Sequence, residues 1–346
     1  LKKNLLGILK LVLALGLGLF IIYLSLRGLS SEGRQQILES FKLANYNWII
    51  LSVFLGIFSH LIRSIRWKML LQPMGYQPST FSTFLAVMVG YFANLGIPRS
   101  GEIARCSILY KEYRIPVDKS FGTVITERSI DMLLFFGLFF ATFLFEYRRL
   151  AEYVNQNIWA PLQQKWDFLN QVEGLLLVLG LGFLGIIVGL WFARKKILSL
   201  SVVQKVLGLF KGVWEGLLSI LKIRRPGLFI FYSFLIWFLY YLMVYVCMQS
   251  LPQTVPLSWT ASLSILVLGS IGIMVTPGGI GLYPVIVAQT LVLYGISAQS
   301  GYGDAMGWIT WSAQTIMIIV VGAISLILVS IKKKASKNES LPQGKI

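Results

Sequence analysis

Eight charged side chains in three short stretches carry the chemistry of this chain. Arg63 and Arg66 end one apolar run. Arg99, Glu102 and Arg105 follow a second, inside Asn94-Leu-Gly-Ile-Pro98-Arg99-Ser-Gly101-Glu102-Ile-Ala-Arg105. Glu127, Arg128 and Asp131 open a third. Charges beside apolar segments must pair, reach water or meet a charged ligand. Guanidinium forks bind oxyanions through two parallel hydrogen bonds, and a low-dielectric surrounding strengthens that pairing, so the arginines suit phosphate. Glu102, Glu127 and Asp131 balance them when no ligand is present. Glu127 and Asp131 lie four apart and share one helical face toward the bundle interior.

Plainer readings of the same residues stand beside this one. The charges can be static interhelical ion pairs and caps. Arg63 and Arg66, with Lys68, can be topology anchors whose side chains snorkel to the membrane surface. His60, the only histidine, lies near a span end and reads as an interfacial residue. No His, Cys or Asp constellation suits a nucleophile or a metal, so no catalytic residue, cofactor or metal is expected. The acids are at most acid or base candidates for an intramembrane enzyme acting on lipid-linked phosphate.

A second break, Thr276-Pro277-Gly278-Gly279-Ile-Gly281, interrupts another apolar stretch with residues that end helices and leave backbone groups free. Pro277, Gly278, Gly279 and Gly281 therefore join Arg63, Arg66, Asn94, Arg99, Glu102, Arg105, Glu127, Arg128 and Asp131 as candidate substrate-binding positions.

These positions sit in a chain whose composition fixes its class. With 56% hydrophobic residues, 13% charged and a mean hydropathy of +0.73, it reads as an all-α, polytopic helical membrane protein. A net charge of +17 would suggest nucleic acid in a soluble protein. Here the basic residues gather between and beside apolar segments, where they orient the chain and touch anionic lipid. No nucleic-acid partner is expected. Cys106 and Cys247 have no metal-like spacing and read as packing residues rather than a disulfide.

Apolar segments fall at about 5–26, 48–61, 80–97, 121–145, 174–193, 227–248, 257–296 (broken at Pro277) and 308–331. Residues 146–173, with Trp159 and Trp166, read as an interfacial connection, and 194–226 as a basic amphipathic surface helix with eight basic residues against Glu215. Lys332, Lys333, Lys334 and Lys337 place the C-terminus inside. Eight plain crossings from an inner N-terminus would put two strongly basic stretches outside, against the positive-inside rule. If 80–97 and 257–296 each enter and return on one face, the charges come right. The chain then has about six full spans plus two re-entrant elements, in two halves (1–145 and 174–331) of opposite orientation, the form of an inverted-topology repeat. The bland alternative is about eight spans with tight turns at the Gly/Pro sites. On either reading residues 1–331 make one integral membrane domain, followed by a basic cytoplasmic tail, 332–346.

Four motifs in this order resemble the lysylphosphatidylglycerol synthase transmembrane-domain family, flippase-like proteins similar to the N-terminal half of the multiple peptide resistance factor. They are Arg63-x-x-Arg66-Trp67-x-x-Leu70-Leu71, Asn94-x-x-x-Pro98-x-x-Gly101-Glu102-x-x-Arg105, Glu127-Arg128-x-x-Asp131 and Pro277-Gly278-Gly279-x-Gly281. The resemblance spans roughly residues 5–331. It implies a lipid transporter or flippase for an anionic, phosphate-bearing phospholipid in the bacterial cytoplasmic membrane, with both termini cytoplasmic. The alternative is an enzyme or accessory subunit acting on lipid-linked phosphate. The chain stops fifteen residues after its last apolar run, so the aminoacyl-transferase activity of the full resistance factor is not expected. The family commonly has a glutamate after the double glycine, where this chain reads Leu282-Tyr283-Pro284.

Overall fold

A computed structural model describes residues 23, 31–97, 99–155 and 223–339. The expected segments at 5–26 and 174–193, most of the connection 146–173 and nearly all of the basic helix 194–226 lie outside the described residues. Those that are described form ten α-helices: α1 Ser31–Leu43, α2 Tyr46–Leu71, α3 Thr80–Gly96, α4 Ser100–Tyr113, α5 Val117–Phe145, α6 Tyr147–Val154, α7 Pro226–Met248, α8 Trp259–Val275, α9 Leu282–Val292 and α10 Tyr302–Glu339. No strand occurs among them. Four, α2, α5, α7 and α10, are long and apolar enough to cross a membrane. Their outward side chains are large and apolar, Phe54, Phe58, Phe136, Phe140, Phe234 and Ile324 among them. Such a surface is stable against acyl chains and not against water.

Helix boundaries follow local chemistry. The Asn45 side chain accepts from the Asn47 amide to start α2, and Ser79 accepts from Ser82 to start α3. Proline opens α7, where its missing amide costs nothing. Gly75, with φ of +85°, turns the chain after α2.

The remaining apolar helices are shorter than a span and work in pairs. α3 and α4 form an antiparallel hairpin. At its base Tyr113 in α4 donates to Ser82 in α3 at 3.1 Å, and Ser82 donates to Glu112 at 2.7 Å. At its tip Asn94 Oδ1 accepts from the Gly101 amide at 2.7 Å, and Ser100 Oγ donates to the carbonyls of Ala93 and Ile97. Between base and tip the backbones touch: a Cβ on Gly101 would lie 2.0 Å from the Gly90 carbonyl oxygen. Only two glycines permit that approach.

α8 and α9 repeat the device. Ser264 and Tyr294 share a hydrogen bond of 2.8 Å at the base, and Pro277–Gly279 forms the tip with Gly278, Gly279 and Gly281 all at positive φ. The Trp311 indole donates to the Gly278 carbonyl at 2.8 Å and holds that tip against α10.

The two hairpins enter from opposite faces. Lys332, at the far end of the α10 span, bonds Ser82 and Glu112 at the base of the first. At the base of the second, Trp259 meets Phe145, the last residue of α5, and Arg149 covers Tyr294 at 4.2 Å. The tips meet between them, where a Cβ on Gly278 would lie 2.8 Å from Leu95 Cδ2. α2 and α7 are antiparallel and in close contact, with Ser52 donating to the Met243 carbonyl and Arg66 to Ser233. Span, hairpin, span thus occurs twice, α2–α3/α4–α5 and α7–α8/α9–α10, in opposite directions.

Three sequence expectations need correction. The second span does not end at residue 61: α2 runs on to Leu71 and carries Arg63 and Arg66 into the interior. The run 80–97 does not itself enter and return; it is the entering arm, and the polar stretch that follows it lies in the returning helix α4, which runs on to Tyr113. His60 is not interfacial. It is buried in α2, with its ring 4.4 Å from that of Tyr91.

Candidate functional site

Five of the predicted residues converge where α2, α4 and α5 meet. Helical spacing puts Arg63 and Arg66 of α2 on the side facing α5, and Glu127 and Asp131, one turn apart, answer them. Arg63 Nη1 lies 2.5 Å from Glu127 and 2.8 Å from Asp131. Arg66 Nη2 reaches Asp131 at 2.7 Å and Glu127 at 3.4 Å, and Arg105 Nη1 reaches the other Glu127 oxygen at 3.1 Å. Arg66 and Glu127 are wholly buried, and Arg63, Arg105 and Asp131 nearly so. Burying charge costs several kcal/mol per ion, and only close pairing recovers it. The snorkelling-anchor reading of Arg63 and Arg66 therefore does not hold.

Aromatic and hydroxyl groups complete the shell. Tyr240 accepts from Arg63 Nη2 at 3.2 Å and Ser233 from Arg66 Nη1 at 3.0 Å. Arg105 stacks over Trp67 at 4.6 Å, and the Trp67 indole is held by Thr123 at 2.9 Å. Sequence reasoning passed over Ser233, Tyr240 and Thr123. For Ser233 a signal exists, the single serine inside the apolar run 227–248; Tyr240 is one tyrosine among several.

Above this network, toward the hairpin tip, a narrow cleft is lined by Tyr91, Asn94, Gly101, Glu102, Arg105 and Arg128. Arg128 pairs with Glu102 at 3.0 Å, and its side chain is 45% exposed, so this ion pair is the open edge of the site. Asn94 is spent on closing the hairpin. Arg99 stands apart: it is exposed at the tip, at φ of +64°, with no ion pair among the described residues. Pro277, Gly278, Gly279 and Gly281 form the opposing tip and are not in the charged network.

In chemical terms the network is a cationic socket. Both buried carboxylates are held by arginine, and three buried guanidiniums face two carboxylates. A family described as the lysylphosphatidylglycerol synthase TM region has a model that matches residues 8–322. The chain belongs to that family. It is also similar to the UPF0104 membrane protein MJ1595 of Methanocaldococcus jannaschii, 34% identical over 118 residues, which are 33% of this chain and 34% of that protein. The chain thus matches about a third of the length of that relative. No solved structure matches it.

Family membership makes this a multi-pass membrane protein, and the family's name points to lipid metabolism or transport. Where the resemblance led one to expect a glutamate after the double glycine, Tyr283 is buried against Gly269 and Gly272, and Pro284 backs onto Gly307. The place is filled by packing.

Proposed function

We propose that this protein binds an anionic, phosphate-bearing lipid and moves it across the membrane. The observation that carries the reading is the buried excess of guanidinium over carboxylate beside the first hairpin, just below the point where the two hairpin tips meet. Lipid phosphate is the oxyanion a membrane supplies, and a low-dielectric wall strengthens its pairing with arginine. Two broken elements entering from opposite faces are the form in which transporters place a midplane site. The basic residues, by the positive-inside rule, orient the Lys332 face toward the cytoplasm of a bacterial inner membrane, with both termini there. The arginines at 63, 66 and 105 hold the phosphate socket, Glu102 and Arg128 edge it, and Pro277 to Gly281 form the far side of the path.

Reconstitution tests this. Liposomes carrying the protein and a fluorophore-labelled phosphatidylglycerol are treated with dithionite, and the rate of quenching of inner-leaflet label is followed. The parent protein is expected to expose that label faster than empty liposomes. Arg105→Ala is expected to slow exposure while keeping the fold, because Glu127 retains Arg63 and Arg66. Equal rates for parent, variant and empty liposomes would defeat the transport reading.

A further inference from the structure

The one histidine of the chain is used neither by the ion-pair network nor by the hairpin contacts. His60 is 5% exposed in α2, and its Nδ1 has no hydrogen-bond partner among the described residues. Buried polar atoms are nearly always bonded, so a nitrogen left open at this depth marks a place that something else completes. A water can do so, and so can a proton. The imidazole is the side chain whose ordinary titration falls between about pH 5 and 8.

The ring is one step from the cleft. It lies 4.4 Å from the ring of Tyr91, which is itself a cleft wall, and Arg63 follows one turn on along α2. Other helices bring few titratable groups to it. α3 carries only Tyr91, and α10 has none between Asp304 and Lys332. Tyr240 of α7 and Glu127 and Asp131 of α5 lie beyond Arg63 and are bonded to it, while Arg128 pairs with Glu102. Arg63 is thus the charge that His60 faces, and no carboxylate bonds its Nδ1 among the described residues.

Charge links this nitrogen to the guest. With the cleft empty, a protonated His60 would add a buried cation beside Arg63, where three buried guanidiniums already outnumber two carboxylates. Burial and repulsion both oppose it. An anion seated against Arg105 cancels the excess charge, and the opposition to a proton on His60 falls by the same interaction. By linkage, what the anion does for the proton the proton does for the anion. Building on the anion-binding reading above, we infer that His60 is a proton-binding site coupled to the cleft, taking up one proton for each anion bound. The Nδ1 lone pair forms the new N–H bond with a proton that solvent supplies, and no other bond changes. A singly charged guest and its proton make a pair without net charge.

Calorimetry on the whole protein tests the coupling. Dihexanoyl phosphatidylglycerol, whose phosphodiester does not titrate in this range, is bound to protein in a neutral detergent, in buffers of differing ionisation enthalpy, from about pH 5 to about pH 8. The slope of observed enthalpy against buffer enthalpy counts the protons taken up. It is expected to approach about one at the acid end, with affinity falling up to about tenfold per pH unit toward the alkaline end. His60→Gln keeps a polar side chain that cannot titrate, and is expected to bind with no proton uptake and a flat pH profile; His60→Asn repeats the measurement should the glutamine variant unfold. Binding by the parent without proton uptake anywhere in the range overturns the inference and leaves His60 a packing residue bonded to water. Uptake undiminished in the variants also overturns it, by placing the proton elsewhere. Absence of any binding by the parent defeats the anion-binding reading, and the inference falls with it.

Discussion

Arg63 touches both carboxylates of the network and Tyr240, and no other guanidinium among the described residues reaches all three. Removing it leaves Asp131 with Arg66 alone and strips Glu127 of its closest partner. Arg63→Ala is expected to cost about 3–5 kcal/mol, the usual penalty for leaving buried charge unmatched. Arg99→Ala is the control. Arg99 makes no ion pair among the described residues, so its loss is expected to stay within about 0.5 kcal/mol. Thermal unfolding in detergent measures both, and equal midpoints would mean that the network does not hold the bundle. A lysine at 63 would keep the charge but lose the fork that meets two acids at once, so Arg63→Lys is expected to fall between these two.

At the scale of the elements, the first hairpin depends on a glycine crossing. Any side chain at Gly101 meets the Gly90 backbone, whereas a Cβ at Gly96 has open space around it. Gly101→Ala is expected to destabilise by at least about 1–3 kcal/mol, the cost of overpacking a close contact, and Gly96→Ala to leave the melting temperature unchanged or slightly raised. At the hairpin bases, Tyr113→Phe and Tyr294→Phe each remove a tyrosine–serine bond and are expected to cost about 1 kcal/mol. Their costs should add, since the bases lie on opposite faces. A non-additive double variant would show that the hairpins communicate. How far this was legible in sequence differs between the hairpins. Pro277 and its glycines sit between two apolar arms, so the second hairpin could be read directly. The returning arm of the first is not apolar enough to be read as a membrane segment, because it carries Glu102, Arg105 and Glu112. The partners that allow those charges to lie in a helix beside the core come from α3, α5 and α10, far away in the chain. For the same reason hydropathy stopped α2 at residue 61. The two arginines beyond it are admitted by Glu127 and Asp131, 64 and 68 residues after Arg63, and no local window contains that information.

For the whole molecule, opposite entry of the hairpins gives the proposed transport its two-sided path, and it makes a directional prediction. Gln77 precedes α3 on the Lys332 face; Ala298 follows α9 on the face of Glu146. Both are exposed. The two native cysteines are free and fully buried, Cys106 in the core beside Trp67 and Cys247 under Thr310, so neither should react in the folded protein. Gln77→Cys and Ala298→Cys can therefore be made in the natural background, with the parent as blank. In sealed right-side-out vesicles a membrane-impermeant maleimide is expected to label Ala298→Cys at once and Gln77→Cys only after permeabilisation. The positive charges beside the first hairpin, Lys111, Arg114 and Lys332 among them, decide that order. Reversed labelling would keep the fold and invert its orientation. Labelling of both variants from one side would mean that the hairpins share a face, and the two-sided path through their meeting tips would have to be abandoned.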